Sequence, residues 1–413
     1  MHVRTAEGLF SRGGAEASFL REGGFFGAPG SLEFKRRDPM KLLHLSDLHL
    51  GKRFNEASLQ DDQKYILGRA LEAVREEKPD AVLIAGDIYD KQVPPIEAVA
   101  LWHEFLTRLT GLCAHVFVLP GNHDSPERVT QYAGLTDQAG LHLAPVYGGA
   151  MKPITLRDEY GEVDVWQLPF IRPVSVRRFF PEAVIDTYTD AARAALSGCT
   201  FTPGRRNVLS AHQYVNGAER SDSDTEPVGG LDTVDVSAFD GFDYVALGHI
   251  HRAQSVTENG RIHYCGAPLK YTFGECDQQK SLTVAELDGA GKVTLRAWPL
   301  IPLREVRKLR GSFEELMNGQ PCEDYIHLTL TDENEVPDAM NRLKQRYRNA
   351  LQLTYDNSRT RNTSVEWEAA DIEKQPLELF GDYFRQQAGR EASAEEMDYM
   401  KKIISIIWEE EDA

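Results

Sequence analysis

The sequence predicts an α/β fold in which helices cover the faces of a sheet. Two observations carry this expectation. Short apolar runs, typical of strands, alternate with stretches whose apolar residues recur every three or four positions. Some of the short runs are apolar throughout, as in Ala81–Ala85, the pattern of a strand buried on both faces. Helices packed against a sheet bury both kinds of apolar surface at once.

The elements follow in order along the chain. Residues 1–39 hold seven glycines and no apolar period. They are expected to be a disordered extension or sequence read from a start codon placed too early, with a pro-segment as the weaker alternative. The first strand is expected at 41–45. Ile66, Ala70, Leu71 and Val74 mark a helix, and 81–85 is the next strand, closed by Gly86-Asp87. A helix is expected over 96–109 and a strand over 115–119, cut off by Pro120-Gly121. Further strands are expected at 163–168, 207–211, 244–247 and 262–264, with 282–286 and 293–298 as a closing pair. After Pro302 the character changes. A strand at 325–331, a helix over 336–349 and a strand at 364–368 make a small α+β unit. Beyond Pro376, Leu377, Phe380 and Phe384 share one helical face. Ser393 with Glu396 forms a capping box. It opens a last helix with the stripe Met397, Met400, Ile403 or Ile404, and Ile407. The expected divisions are 1–39, 40–300, 301–375 and 376–413.

With 413 residues, the chain is long enough for two or three domains and a core that needs no staples. The five cysteines are widely spaced and contain no C-x-x-C. A disulfide framework or thiolate zinc site is therefore not expected, and a reducing cytoplasm is the natural setting. No apolar run approaches the roughly 18 residues of a membrane span. No G-x-x-x-x-G-K-[ST] occurs, so P-loop ATP hydrolysis is not expected of this chain. The net charge of −18 argues, taken alone, against a polyanionic partner.

The motifs point elsewhere. Asp47 and His49 form D-x-H after the first strand. Asp87 and Asp90 lie in Gly-Asp-Ile-Tyr-Asp after the second, and Asn122, His123 and Asp124 in Gly-Asn-His-Asp after the third. His212 ends a later strand, and His249 and His251 form Gly-His-Ile-His after another. Loops at the carboxyl ends of strands in α/β sheets are where ligands bind. Carboxylates and an amide oxygen suit hard divalent ions, and imidazole suits manganese, iron or zinc. A pair of such ions can share a bridging carboxylate, clamp a phosphate and supply a nucleophile. A nearby imidazole that binds no metal can protonate the leaving oxygen. Each motif alone is weak; five in sequence order, each after an apolar run, are specific.

In that order, D-x-H, G-D-x-x-D, G-N-H-D, a later His and G-H-x-H resemble the calcineurin-like metallophosphoesterases. The segments from Lys41 to Lys52, Gly86 to Asp90 and Leu119 to Ser125 resemble more narrowly those bacterial nuclease subunits that pair with an SbcC-type ATPase. The resemblance runs from Met40 to about Trp408 and leaves 1–39 unmatched. It implies a metallophosphoesterase β-sandwich flanked by helices over 40–300, a capping domain for DNA-substrate selection over 301–375, and an ATPase-binding helical segment over 376–413. It implies that Asp47, His49 and His251 hold one metal, that Asn122, His212 and His249 hold the other, and that Asp87 bridges them. His123 would then be the acid that meets the leaving group or the residue that positions the phosphate, and Asp90 the residue that orients it. Two divalent ions are implied, Mn2+ before Mg2+. So are a DNA substrate, 3′-to-5′ exonuclease and single-strand or hairpin endonuclease activity in DNA repair, recombination and replication, a homodimer within a heterotetramer, and a bacterial cytoplasmic, nucleoid-associated setting.

Two other readings compete: a metallophosphatase or small-molecule phosphodiesterase on the same metal core, and a non-enzymatic scaffold for the ATPase. The C-terminal region weighs against the first and the intact ligand set against the second. Asp124 is expected to be a loop cap, and His44, His103, His115, His142, His263 and His327 to be structural. Lys52-Arg53, Arg172, Arg177-Arg178, Arg205-Arg206 and Tyr271 are local points that could touch DNA, each equally an ordinary surface residue. The charge also reads differently beside two cations. Residues 376–413 carry 4 Lys/Arg against 10 Asp/Glu, or −6. DNA contact is then expected to be local and metal-centred.

Overall fold

The computed structural model describes residues 38–221, 233–361, 376–388 and 390–411. The expectations for 1–37, and the strand expected at 364–368, lie outside the described residues. Two six-stranded sheets form the body. The first runs in spatial order Val293–Pro299, Ser281–Leu287, Met40–Leu45, Ala81–Ala85, Val116–Leu119 and Leu141–Leu143. The second runs Gln254–Ser255, Ile262–Tyr264, Tyr244–Gly248, Arg206–His212, Gly161–Leu168 and Ile154–Asp158. In each, the strands that carry the motifs pair in parallel. Their carboxyl ends therefore leave on one side.

The two sheets pack face to face. Leu42, Leu83, Phe117, Val165, Val208, Tyr244 and Ala285 fill the space between them. Because the strands alternate, Leu43, Val82, Ile84 and Val118 point the other way, onto helices Gln60–Glu77 and Ile96–Thr110. The second sheet's outer face, with Trp166, Leu209 and Val245, is covered by helix Tyr188–Leu196 and its neighbours. Both faces of each central strand are thus buried, which is why Ala81–Ala85 is apolar throughout.

The edge of the second sheet is held by charge. Arg206 and Asp158 form a bidentate pair at 2.5 and 2.8 Å, with side chains only 6% and 7% exposed. Arg206 also donates to Gly161 O at 3.2 Å. Replacing Arg206 by alanine leaves a buried carboxylate unpaired. It should destabilise the protein by about 3–5 kcal/mol, read as a lower urea midpoint.

After Pro302 three strands, Val306–Gly311, Tyr325–Leu330 and Ala350–Tyr355, make a small parallel sheet. Helices Phe313–Asn318 and Ala339–Lys344 connect them, so the unit is βαβαβ. The helix expected over 336–349 is confined to 339–344, since residues 345–349 turn back into the last strand. Asp62 of the main body accepts from Arg304 at 2.7 Å and from Tyr325 at 2.8 Å, which clasps this unit to it. Helices Pro376–Ala388 and Ala394–Glu411 follow. The Ser393–Glu396 capping box forms as the sequence implies, with reciprocal bonds of 2.8 and 3.3 Å. Among the described residues, no helix is long and apolar enough to cross a membrane.

Candidate metal centre

The site lies where the carboxyl ends of both sheets meet. The first sheet delivers Asp47, His49, Asp87, Asn122 and His123, and the second delivers His212, His249 and His251. Sharp turns aim them inward. Asp47, His49, Asp87 and His249 have φ of +53°, +42°, +50° and +105°. Asp and His occupy positive φ more readily than most residues, yet each such position still costs about 1–3 kcal/mol. Backbone bonds between the loops hold the turns: Asp47 N donates to Gly86 O at 3.0 Å, and His49 N to Asp87 O at 2.9 Å. The motif glycines have a steric reason. A Cβ at Gly121 would strike the Asp87 carboxylate, and one at Gly248 would strike Ala85 O and His212.

Three groups of donors result among the described residues, one of them His49, Asp90 and His123, whose ligand atoms lie within 4.8 Å of one another. Asp47, His49 and His251 each place a ligand atom within 4.8 Å of the others, and so do Asp47, Asp87 and His212. Nε2 of His49 lies 3.1 Å from Nε2 of His251. Asp87 Oδ2 sits 3.3 Å from His212 Nε2 and 3.7 Å from His49 Nε2, between the two rings. Asn122 Oδ1 is 3.0 Å from His212 Nε2 and 2.9 Å from His249 Nδ1. His249 N donates to both Asp47 oxygens, at 3.1 and 3.2 Å, tying one sheet to the other. His212 Nδ1 donates to Ala85 O at 2.7 Å, which leaves Nε2 to face inward.

Burial dominates the electrostatics. It pushes Asp47 up to about 6 and His249 down to about 3, and holds His49 well below its ordinary value. Burial works the same way on Asp87 and His212, but their mutual attraction outweighs it. Asp87 stays well below the carboxylate range and His212 rises to about 9. The donor set fits divalent cations: oxygen and imidazole only, no thiolate, and two buried carboxylates at the centre. Nδ1 of His49 is buried with no hydrogen-bond partner among the described residues.

The calcineurin-like phosphoesterase family model matches residues 40–253, just over half the chain. SbcD, the nuclease component of SbcCD, from Staphylococcus saprophyticus is 31% identical over 380 residues, covering 90% of this chain and 99% of that one. The chain belongs to the SbcD family. The SbcD of Staphylococcus epidermidis is 30% identical, covering 90% of this chain and 100% of that one. A second family model, described as the type 5 capsule protein repressor C-terminal domain, matches residues 302–388. This SbcD-family chain is therefore a calcineurin-like metallophosphoesterase, a hydrolase of phosphoester bonds whose domain takes divalent metal ions.

Not every residue sits as the sequence implies. The resemblance implies that Asp90 orients His123. Its backbone carbonyl accepts from His123 Nδ1 at 3.0 Å, while its carboxylate pairs with Lys52 at 2.7 Å. The carboxylate is 3.9 Å from His49 Nδ1, so it stays within the cluster. Tyr271 does not face substrate. It is buried, and its hydroxyl donates to Leu48 O at 2.7 Å and Asp47 O at 3.2 Å, bracing the first loop from beneath. Asp124 caps its loop: its oxygens accept from the amides of Ile88, Tyr89 and Gly121 at 2.9–3.0 Å. Asp124→Ala strands three buried donors. It should lower stability by about 2–4 kcal/mol and weaken metal binding with it, measured by denaturation and by metal titration.

Sequence reasoning missed two supports of His251. Lys280 Nζ donates to His251 O at 2.9 Å and pairs with Glu275, whose other oxygen lies 3.9 Å from His251 Nδ1. Glu275 is held down to about 2: burial opposes ionisation, but His251 and Lys280 outweigh it. No motif surrounds either residue. Phe170 was missed too, and its ring stacks on His249 at 6.3 Å.

Proposed function

We propose that this chain is the nuclease component of an SbcCD-type complex and hydrolyses phosphodiesters of DNA at a two-metal centre. The observation that supports it best is the meeting of seven oxygen and imidazole donors from five strand ends: five are buried together, and Asn122 and His249 join them through His212. Asp47, His49 and His251 would hold one ion and Asn122, His212 and His249 the other, with Asp87 shared between them. When bound, the two ions supply Lewis-acid charge at the scissile phosphate and an activated water. Mn2+ is the expected metal, with Mg2+ as the abundant substitute.

The protein's own residues do the rest. His123 is the catalytic acid. A carbonyl oxygen can only accept, so the bond to Asp90 O fixes the proton on Nδ1. Nε2 is then left to carry a proton to the leaving oxygen. His123 N also donates to Asp87 Oδ1 at 2.9 Å, which links the acid to the bridging carboxylate. Asp90 is a positioning residue, anchored by Lys52.

The proposed activities are a 3′-to-5′ exonuclease on duplex ends and an endonuclease on single strands and hairpins, in a cytoplasmic complex. Residues 301–375 select the DNA substrate. Residues 376–413 bind the SbcC-type ATPase, which supplies the ATP dependence this chain cannot, and two nuclease chains join as a homodimer within a heterotetramer. In the last helices Met397, Met400, Ile403 and Ile404 are half-buried, the spaced anchors that helix-in-groove binding needs. The experiment is a Mn2+-dependent assay on hairpin DNA beside a cyclic nucleotide, with and without co-purified SbcC and ATP. DNA cleavage that rises with the partner is expected. Turnover of the cyclic nucleotide alone would identify a small-molecule phosphodiesterase instead.

A further inference from the structure

The basic residues that could meet DNA are not equivalent once their neighbours are known. Lys52 is held by Asp90 at 2.7 Å, and Arg53 donates to Glu56 O. Arg177 donates to Ile185 O at 3.1 Å and stands beside Asp186. Arg205 is paired with Glu162 and Asp164, and Arg206 with Asp158. Arg172 and Arg178 remain. Both are exposed, both lie against aromatic rings, Phe170 at 5.7 Å and Phe179 at 4.6 Å, and neither forms an ion pair among the described residues.

These two line one cavity of about 220 Å³, together with Asn122, Phe170 and Ser175. Asn122 is a donor of the metal centre, and Phe170 stacks on His249, so the cavity runs directly into it. The one acid in its lining, Asp124, turns its oxygens into three backbone amides. The larger cleft beside Asp90 differs: there Asp90 and Glu97 stand among Lys52, Arg53 and Lys91. A cavity with two uncompensated guanidinium groups, on a chain of net charge −18, is built for an anion. At about 30 Å³ per water, it has room for a phosphate group with part of its hydration.

We propose that Arg172 and Arg178 form a phosphate-binding subsite that grips the phosphodiester flanking the scissile one, on the Asn122 side of the metal centre. This rests on the nuclease reading. Guanidinium groups bind phosphate through paired N–H bonds. Such contacts fix a strand's register without reading its sequence. A substrate with a single phosphodiester has nothing to place there, so the subsite discriminates strands from small esters.

The test uses the full chain with Mn2+, a single-stranded oligonucleotide, and bis(p-nitrophenyl) phosphate. Arg172→Gln and Arg178→Gln should each raise KM for the oligonucleotide about tenfold, the scale of one lost charge-assisted bond, and leave kcat nearly unchanged. Each should also flatten the salt dependence of oligonucleotide binding. Hydrolysis of bis(p-nitrophenyl) phosphate should be unaltered. Equal losses on both substrates, or an unchanged oligonucleotide KM, would overturn the subsite. A wild-type protein that cleaves the small ester but neither binds nor cuts the oligonucleotide would overturn the nuclease reading as well.

Discussion

Replacing Asp87 by alanine should abolish phosphodiester cleavage and remove at least one of the two metal ions. The Asp87 carboxylate lies between the histidine groups, 3.3 Å from His212 and 3.7 Å from His49, and Asp47 belongs to both groups beside it. Loss of Asp87 also leaves the amide of His123 without an acceptor and the raised imidazole of His212 without its counter-charge. Outer-shell partners of metal ligands are already worth about 10–100-fold in affinity, so a bridging ligand should cost at least about 100-fold. Isothermal titration with Mn2+ reads the stoichiometry, and the nuclease assay reads the rate. Two ions bound with wild-type affinity by Asp87→Ala would remove Asp87 from the centre.

The second large effect separates acid from metal. His123→Gln should keep both ions and lose cleavage by about 10²–10⁴-fold, the range of a positioned general acid. In the structure His123 touches the centre through its backbone amide and orients its ring through Asp90 O. Glutamine keeps the first contact and has no titrating proton to deliver. A substrate with a leaving group that needs no protonation, such as p-nitrophenolate, should be affected far less than DNA. If both substrates lose rate equally, His123 acts on the metals or the phosphate rather than on the leaving oxygen.

The fold was largely legible because its central strands are buried on both faces. Runs such as Ala81–Ala85 and Tyr244–Gly248 announce themselves without any alternation. Edge and surface elements were not. Strand Ile154–Asp158 and helix Tyr188–Leu196 have mixed patterns, although Thr187 with Asp190 forms a capping box that could have revealed the helix. The strand Ala350–Tyr355 is only partly covered, and its pattern is weak for that reason.

The site was legible in its donors, because motif order survives without coordinates. Its supports were not, because they arrive from distant segments with no local pattern. Glu275 and Lys280 serve His251, and Tyr271 reaches back to Leu48. Spacing alone does not say which atom of Asp90 meets His123. The G-D-x-x-D motif placed the residue correctly, but whether its carboxylate or its carbonyl meets His123 depends on Lys52, which lies 38 positions away.

The central claim is a two-metal centre bridged by Asp87. Anomalous diffraction at the manganese edge, from crystals of the full chain grown with Mn2+, tests it most directly. The account predicts two peaks about 3.5–4 Å apart, with Asp87 in contact with both, Asp47, His49 and His251 on one, and Asn122, His212 and His249 on the other. A single peak, or two peaks not joined by Asp87, would contradict it.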